Sequence, residues 1–127
     1  MAQCSSPRRH RALIVEDELM IALDLEDAMS ALGFDICGLA STADTARSLA
    51  MDQQPDVVLM DVNLDGGREG IEAGRWLREA CDVPIVFVTA YCDEDTIERI
   101  HEQVPGAPVL AKPVYPQVLA DAVAAVV

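Results

Sequence analysis

The sequence has little positive charge and few aromatic residues. Nine lysines and arginines face 22 aspartates and glutamates in 127 residues, which gives a formal net charge of −13, and only 4% of the residues are aromatic. Nucleic acids and anionic membrane surfaces are bound through basic patches, so this balance argues against both as partners. It is compatible with metal cations and with basic faces on other proteins. Because 51% of the residues are hydrophobic, we expect a core of Val, Leu, Ile, Ala and Met.

The sequence also lacks an apolar run long enough to suggest a membrane span. The apolar residues that follow Arg11 are interrupted at Glu16, so no export signal is expected and a cytoplasmic location is predicted. Residues 1–10 are predicted to be a flexible tail and residues 11–127 a single domain. The cysteines form no C-x-x-C pair and lie away from both histidines, which argues against a zinc site and favours free thiols. They are Cys4, Cys37, Cys81 and Cys92.

Five short apolar runs alternate with helical patterns along the chain. The predicted strands cover residues 12–15, 34–38, 57–61, 85–89 and 109–111, and the predicted helices cover 21–32, 42–53, 70–80, 93–104 and 116–127. Strict alternation of this kind is typical of a parallel sheet with right-handed crossovers and helices on both faces. We therefore predict an α/β fold, a five-stranded parallel sheet that is doubly wound as (βα)5 in a three-layer sandwich.

Polar residues stand where four of the predicted strands end, and the carboxyl edge of such a sheet is where ligands bind. Two carboxylates about 5 Å apart repel by roughly 3 kcal/mol at an effective dielectric of about 20, so three of them call for a proton or a hard divalent cation. Oxygen ligands without His or Cys favour Mg²⁺ or Mn²⁺. The strand-end residues are Glu16 and Asp17, Asp61, Thr89, and Lys112, which is the only lysine in the chain.

A metal beside a carboxylate, an ammonium and a hydroxyl is suited to phosphoryl transfer, in which the carboxylate attacks phosphorus. No glycine-rich phosphate loop follows the first strand, so ATP is not the expected donor. The residues alone leave open whether Asp17 or Asp61 is the nucleophile.

The same residues, in the same order, resemble the receiver domain of two-component response regulators. The resemblance covers residues 11–127 and rests on Glu16-Asp17, Asp61, Thr89 and Lys112-Pro113. It implies a flavodoxin-like, CheY-like fold. It also implies that Asp61 accepts a phosphoryl group from a phosphohistidine on a sensor histidine kinase or a histidine phosphotransfer protein.

The resemblance further implies a role for each residue around Asp61. Asp17, Asp61 and the backbone carbonyl of Asn63 would bind Mg²⁺ directly, and Glu16 would act on the metal through water. The phosphoryl oxygens would be held by Thr89 and Lys112, with a cis Lys112–Pro113 bond.

Three positions depart from the family pattern. Asp65 stands where a proline usually follows the acceptor by four residues, in a loop (residues 65–70) that is one residue longer than usual. Val109 replaces the usual switch aromatic three residues before the lysine, and Val114 replaces the aromatic after Lys-Pro. Tyr91 is a candidate replacement as the moving ring, with a loop residue packed on the next helix as the alternative.

Two other functions stay open at this point. One is a small Mg²⁺-dependent phosphohydrolase with an aspartyl-phosphate intermediate, although Asp61-Val62-Asn63 lacks the second Asp of the D-x-D motif. The other is a degenerate receiver that only binds proteins.

We expect a protein that is not an enzyme beyond its own phosphorylation and dephosphorylation. It would be a stand-alone receiver that contacts a downstream protein target through the Val109 and Tyr115 side of the sheet, with homodimers as a further expectation; a fragment of a longer regulator is the alternative.

Overall fold

The computed structural model describes residues 10–64 and 69–127. Nearly all of the predicted tail, and Asp65 in the loop after the third strand, lie outside the described residues. Strands and helices alternate as predicted, and their bounds are β1 Arg11–Val15, α1 Leu19–Ala31, β2 Asp35–Ala40, α2 Ala43–Gln53, β3 Val57–Asp61, α3 Glu69–Cys81, β4 Ile85–Thr89, α4 Glu94–Gln103, β5 Val109–Ala111 and α5 Pro116–Val126.

The five strands form one parallel sheet in the order β2-β1-β3-β4-β5. Side chains of β1 alternate between its faces, so that Leu13 and Val15 join a core cluster with α2, α3 and α4, while Ala12 and Ile14 join one with α1 and α5. Successive side chains of a strand point to opposite faces. The sheet is therefore covered on both sides, and the predicted doubly wound (βα)5 fold is confirmed.

The bounds of helix α1 and of strand β2 differ from the sequence prediction. The helix α1 buries Ala22, Leu25 and Met29, whereas Leu32 lies just beyond its end and is 41% exposed. The chain turns there because Gly33 adopts a φ of +95°, a conformation in which glycine avoids the clash of a Cβ atom. The predicted helix over residues 21–32 therefore extended one residue too far at its end, and α1 begins two residues earlier than predicted. Strand β2 also starts one residue later and ends two residues later than predicted.

Two helices begin at the residues that the sequence indicated. The Thr42 hydroxyl accepts a hydrogen bond from the Thr45 N–H, and the Asp93 carboxylate accepts one from the Thr96 N–H at 3.0 Å. Each side chain satisfies one of the backbone donors that a helix start leaves free. The Asp93 cap stands four residues after the end of β4, and α4 begins at the next residue. None of the helices in the described ranges has both the length and the apolar character needed to cross a bilayer.

Helix α3 lies very close to the middle of the sheet. A Cβ atom on Gly74 would stand 2.5 Å from Cζ and 2.9 Å from Cε1 of Phe87. The ring of Phe87 is completely buried in β4, so it has little room to move away. The glycine therefore sets the distance between α3 and the strands that carry the site described below.

We expect Gly74→Ala to destabilise the fold by about 1–3 kcal/mol, the usual cost of overpacking a core, despite the better helix propensity of alanine. Urea denaturation followed by circular dichroism measures this free energy of unfolding. The matched control is Gly74→Ala in a Phe87→Leu background, where the smaller side chain leaves room for the methyl group. An equal loss in both backgrounds would contradict the close-approach explanation.

Candidate functional site

Backbone hydrogen bonds at the carboxyl edge continue the pairing of the five strands by one residue. The Glu16 N–H donates to the Ala40 carbonyl at 2.9 Å, and the Lys112 N–H donates to the Thr89 carbonyl at 2.9 Å. The Val62 N–H, directly after β3, donates to the Val88 carbonyl at 3.1 Å. The carboxyl edge of the sheet thereby fixes where each of the polar side chains begins.

The three acidic residues singled out from the sequence come together at this edge. Glu16, Asp17 and Asp61 each offer a carboxylate oxygen, and these oxygens lie within 4.8 Å of one another. Glu16 and Asp61 are both buried at 4% exposure, whereas Asp17 is exposed. The group is therefore open to solvent on the Asp17 side and closed beneath by the strands.

Lys112 reaches the same group from the end of β5. Its Nζ lies 2.6 Å from Oε1 of Glu16 and 3.4 Å from Oδ1 of Asp61. The Lys112–Pro113 peptide bond is cis, as the resemblance implied. One ammonium therefore contacts two of the three carboxylates, and its shorter contact is with Glu16 rather than with the predicted phosphoryl acceptor.

Thr89 joins the site through Asn63. The Thr89 hydroxyl donates to Oδ1 of Asn63 at 3.2 Å, and the Asn63 N–H donates to Oδ1 of Asp61 at 3.2 Å. The sequence assigned a role only to the backbone carbonyl of Asn63. The side-chain contact with Thr89 was missed, because it depends on the path of the loop after β3. A polar residue two positions after the acceptor was the one signal that could have suggested it.

A glycine supports the backbone of Asp61 from below. A Cβ atom on Gly70 would lie 1.9 Å from the carbonyl oxygen of Asp61, and the Gly70 N–H donates to the Val62 carbonyl at 3.0 Å. No side chain fits where the first turn of α3 meets the end of β3. Sequence reasoning treated Gly70 as the start of a helix and missed this contact.

The electrostatics of the site favour an additional proton when no metal is present. Burial, together with the hydrogen bond and the charge of Asp61, raises the pKa of Glu16 to about 8, although Lys112 acts in the opposite direction. Burial alone would lower the pKa of the Lys112 ammonium, but the contacts with Glu16 and Asp61 outweigh it and raise that pKa above its ordinary value. At neutral pH, the buried Glu16 beside Asp61 and Lys112 is therefore expected to hold a proton.

The donor set fits a hard divalent cation. All three side chains offer oxygen, the ligand that Mg²⁺ prefers. With Glu16 ionised, no donor among the described residues reaches its buried Oε2. A buried polar atom without a partner costs free energy, and a cation or one of its water ligands would satisfy it. The cluster of Glu16, Asp17 and Asp61 is therefore consistent with a metal site.

The departures from the family pattern have different structural contexts. Val109 is partly buried against the core beside α4, and Val114 packs against the core beside α1 and α5. Tyr91 and Tyr115 are each 67% exposed. The exposure of Tyr91 does not support the alternative in which its ring packs on the next helix.

Comparisons with known proteins agree with this geometry. The family model of the response regulator receiver domain matches residues 12–124. The transcriptional regulatory protein PdtaR of Mycobacterium tuberculosis is 37% identical over 101 residues, which are 80% of this chain and 48% of PdtaR. The phyllosphere-induced regulator PhyR of Methylorubrum extorquens is 39% identical over 80 residues, which are 62% of this chain and 30% of PhyR. The chain thus spans less than half the length of either relative.

A solved structure shows the same fold. The signal receiver domain of a modulated diguanylate cyclase from Desulfovibrio desulfuricans superposes with a TM-score of 0.84 at 32% identity, and the match covers 94% of each chain. The strand order, the residues at the carboxyl edge and the family match agree, and the chain belongs to the response regulator receiver domain family of two-component signalling.

Proposed function

We propose that this chain is a phospho-accepting signalling receiver in which Asp61 takes a phosphoryl group from a phosphohistidine. The observation that supports it most is the meeting of Glu16, Asp17 and Asp61 within 4.8 Å, with Lys112 in contact with two of them. A carboxylate that is buried, held by a backbone N–H and placed beside an ammonium is oriented to attack phosphorus.

Each residue of the site has a part in this proposal. Asp17, Asp61 and the Asn63 carbonyl would hold Mg²⁺, with Glu16 acting through water, and the ion would neutralise charge on the transferred phosphoryl oxygens. The Lys112 ammonium and the Thr89 hydroxyl would bind the remaining phosphoryl oxygens. The Asn63 N–H, at 3.2 Å from Oδ1 of Asp61, orients the acceptor carboxylate.

The proposed partners follow from the same site and from the charge of the chain. The donor would be a sensor histidine kinase or a histidine phosphotransfer protein, and the output would be a downstream protein target with a basic face, since the net charge is −13. Exposed Tyr115, beside β5, belongs to the proposed output face, and a second copy of the chain is a further candidate there. We propose a cytoplasmic protein that acts on no separate substrate.

Phosphorylation of Asp61 is tested with acetyl phosphate and Mg²⁺, followed by intact mass spectrometry. We expect one phosphoryl adduct on the wild type and none on Asp61→Asn, because the amide is not a nucleophile. The matched control is Asp52→Asn, at an exposed acid on α2, which should keep the adduct.

An undiminished adduct on Asp61→Asn would refute the assigned acceptor, and no adduct on the wild type would refute the proposed function. Repeated turnover of a generic phosphate ester would instead support the phosphohydrolase alternative.

Proton release on Mg²⁺ binding follows from the raised pKa of Glu16. Between its ordinary pKa of 4.5 and about 8, the folded protein holds a proton that the unfolded chain has lost. The free energy of unfolding of the metal-free protein should therefore fall as pH rises through this window. Mg²⁺ favours the ionised carboxylate, so its affinity should rise over the same window, with about one proton released per ion at pH 7.

Calorimetry in two buffers of different ionisation enthalpy measures the number of released protons. Glu16→Gln is the control, because an amide carries no titrating proton, and its Mg²⁺ affinity should be nearly independent of pH between 5 and 8. Proton release that is unchanged in Glu16→Gln would show that another group titrates.

A further inference from the structure

The Thr89 hydroxyl is fully engaged before any phosphoryl group is present. Thr89 is completely buried, and its hydroxyl proton is donated to Oδ1 of Asn63 at 3.2 Å. The same oxygen accepts the Tyr91 N–H at 3.0 Å. A hydroxyl has one proton to donate. To bind a phosphoryl oxygen on Asp61, Thr89 must therefore withdraw its proton from Asn63.

We infer that the Asn63 side chain is a positioning residue that holds Thr89 in the unphosphorylated arrangement and competes with the phosphoryl group for its hydroxyl. The inference rests on the proposed phosphorylation of Asp61 and deepens it. Asn63 can do this because it contacts both the proposed acceptor and the hydroxyl. Its N–H donates to the Asp61 carboxylate, and its Oδ1 accepts from Thr89.

The same exchange reaches the protein surface through the main chain. The reorientation we infer is a rotation of the Thr89 side chain about χ1 towards Asp61, which carries Oγ1 away from the Tyr91 N–H and leaves that N–H without this acceptor. Tyr91 lies in the short segment between β4 and the Asp93 cap of α4, and its side chain is exposed. Phosphorylation is thereby read out by a backbone N–H. This route needs no aromatic ring at position 109, where the chain has Val109.

The competition predicts a measurable gain when Asn63 is truncated. The net contribution of one hydrogen bond corresponds to about a fivefold change in an equilibrium constant. Asn63→Ala removes the acceptor while keeping the backbone N–H and carbonyl. The backbone of Asn63 is not in the left-handed region, so alanine is compatible with it. Beryllium fluoride with Mg²⁺, a phosphoryl stand-in, should therefore bind Asn63→Ala about fivefold more tightly than the wild type.

The test is a double-mutant cycle with Thr89→Val, in which the competing hydroxyl is absent. Beryllium fluoride is titrated at constant Mg²⁺ into four proteins: wild type, Asn63→Ala, Thr89→Val and the double variant. The gain from Asn63→Ala should vanish in the Thr89→Val background. Thr89→Ser, which keeps the hydroxyl, should retain the gain, and thermal denaturation checks that every variant is folded.

Nuclear magnetic resonance of the Tyr91 amide provides a readout that a purely structural role of Asn63 would not change. In the wild type, beryllium fluoride should shift this resonance and speed its hydrogen exchange. Without beryllium fluoride, Thr89→Val should already show the faster exchange of the Tyr91 amide. This comparison does not use Asn63→Ala, so it can be made even if that variant is unfolded.

Three results would overturn the inference: unchanged or weaker binding by Asn63→Ala, the same gain in the Thr89→Val background, or a Tyr91 amide that does not respond. If the wild type binds no beryllium fluoride and takes no phosphoryl group from acetyl phosphate, the proposed function itself fails. Normal phosphorylation with no effect of Asn63→Ala would refute the inference alone.

Discussion

The contact between the Lys112 ammonium and the buried carboxylates is the interaction on which the site depends. Glu16 and Asp61 are both 4% exposed, and burying carboxylates without a counter-charge would cost several kcal/mol per ion. Lys112 is the only lysine in the chain, so no other ammonium can replace it. The ammonium compensates only part of the negative charge, and this remaining excess makes the edge of the sheet attractive to a cation and to an additional proton.

The sheet keeps these charges together because its central strands cannot adjust. Every residue of β3 and β4 is buried. Helix α3 packs against them through two close approaches, of Gly70 to the Asp61 carbonyl and of Gly74 to Phe87. A close-packed interior transmits displacement rather than absorbing it. We therefore expect a change at Asp61 to displace the loops at the carboxyl edge rather than these two strands.

The sequence predicted best the two strands that are buried along their whole length. Strands β3 and β4 have the predicted bounds, because a strand buried on both faces is an uninterrupted apolar run. The short edge strand β5 also has the predicted bounds, whereas β1 begins one residue earlier than predicted. The edge strand β2 and the end of α1 were displaced by one or two residues, since Leu32 fits the helical pattern but lies beyond the last turn. The contact of Asn63 with Thr89 could not be predicted, because it joins two loops whose paths depend on the folded sheet.

A single exchanged hydrogen bond is too weak to switch the receiver by itself. A ligand can shift an equilibrium only by its differential affinity for the two states. A shift of the two populations from 1:99 to 99:1 needs about 5.5 kcal/mol. The Thr89 hydroxyl supplies only a fraction of this. A second contribution is available from Lys112, whose shorter contact is with Glu16 at 2.6 Å. In the proposed function, a phosphoryl group on Asp61 would add negative charge beside the 3.4 Å contact, so the ammonium would gain a stronger partner there. The hydroxyl would then set which loop responds, and the ammonium would contribute to the driving force.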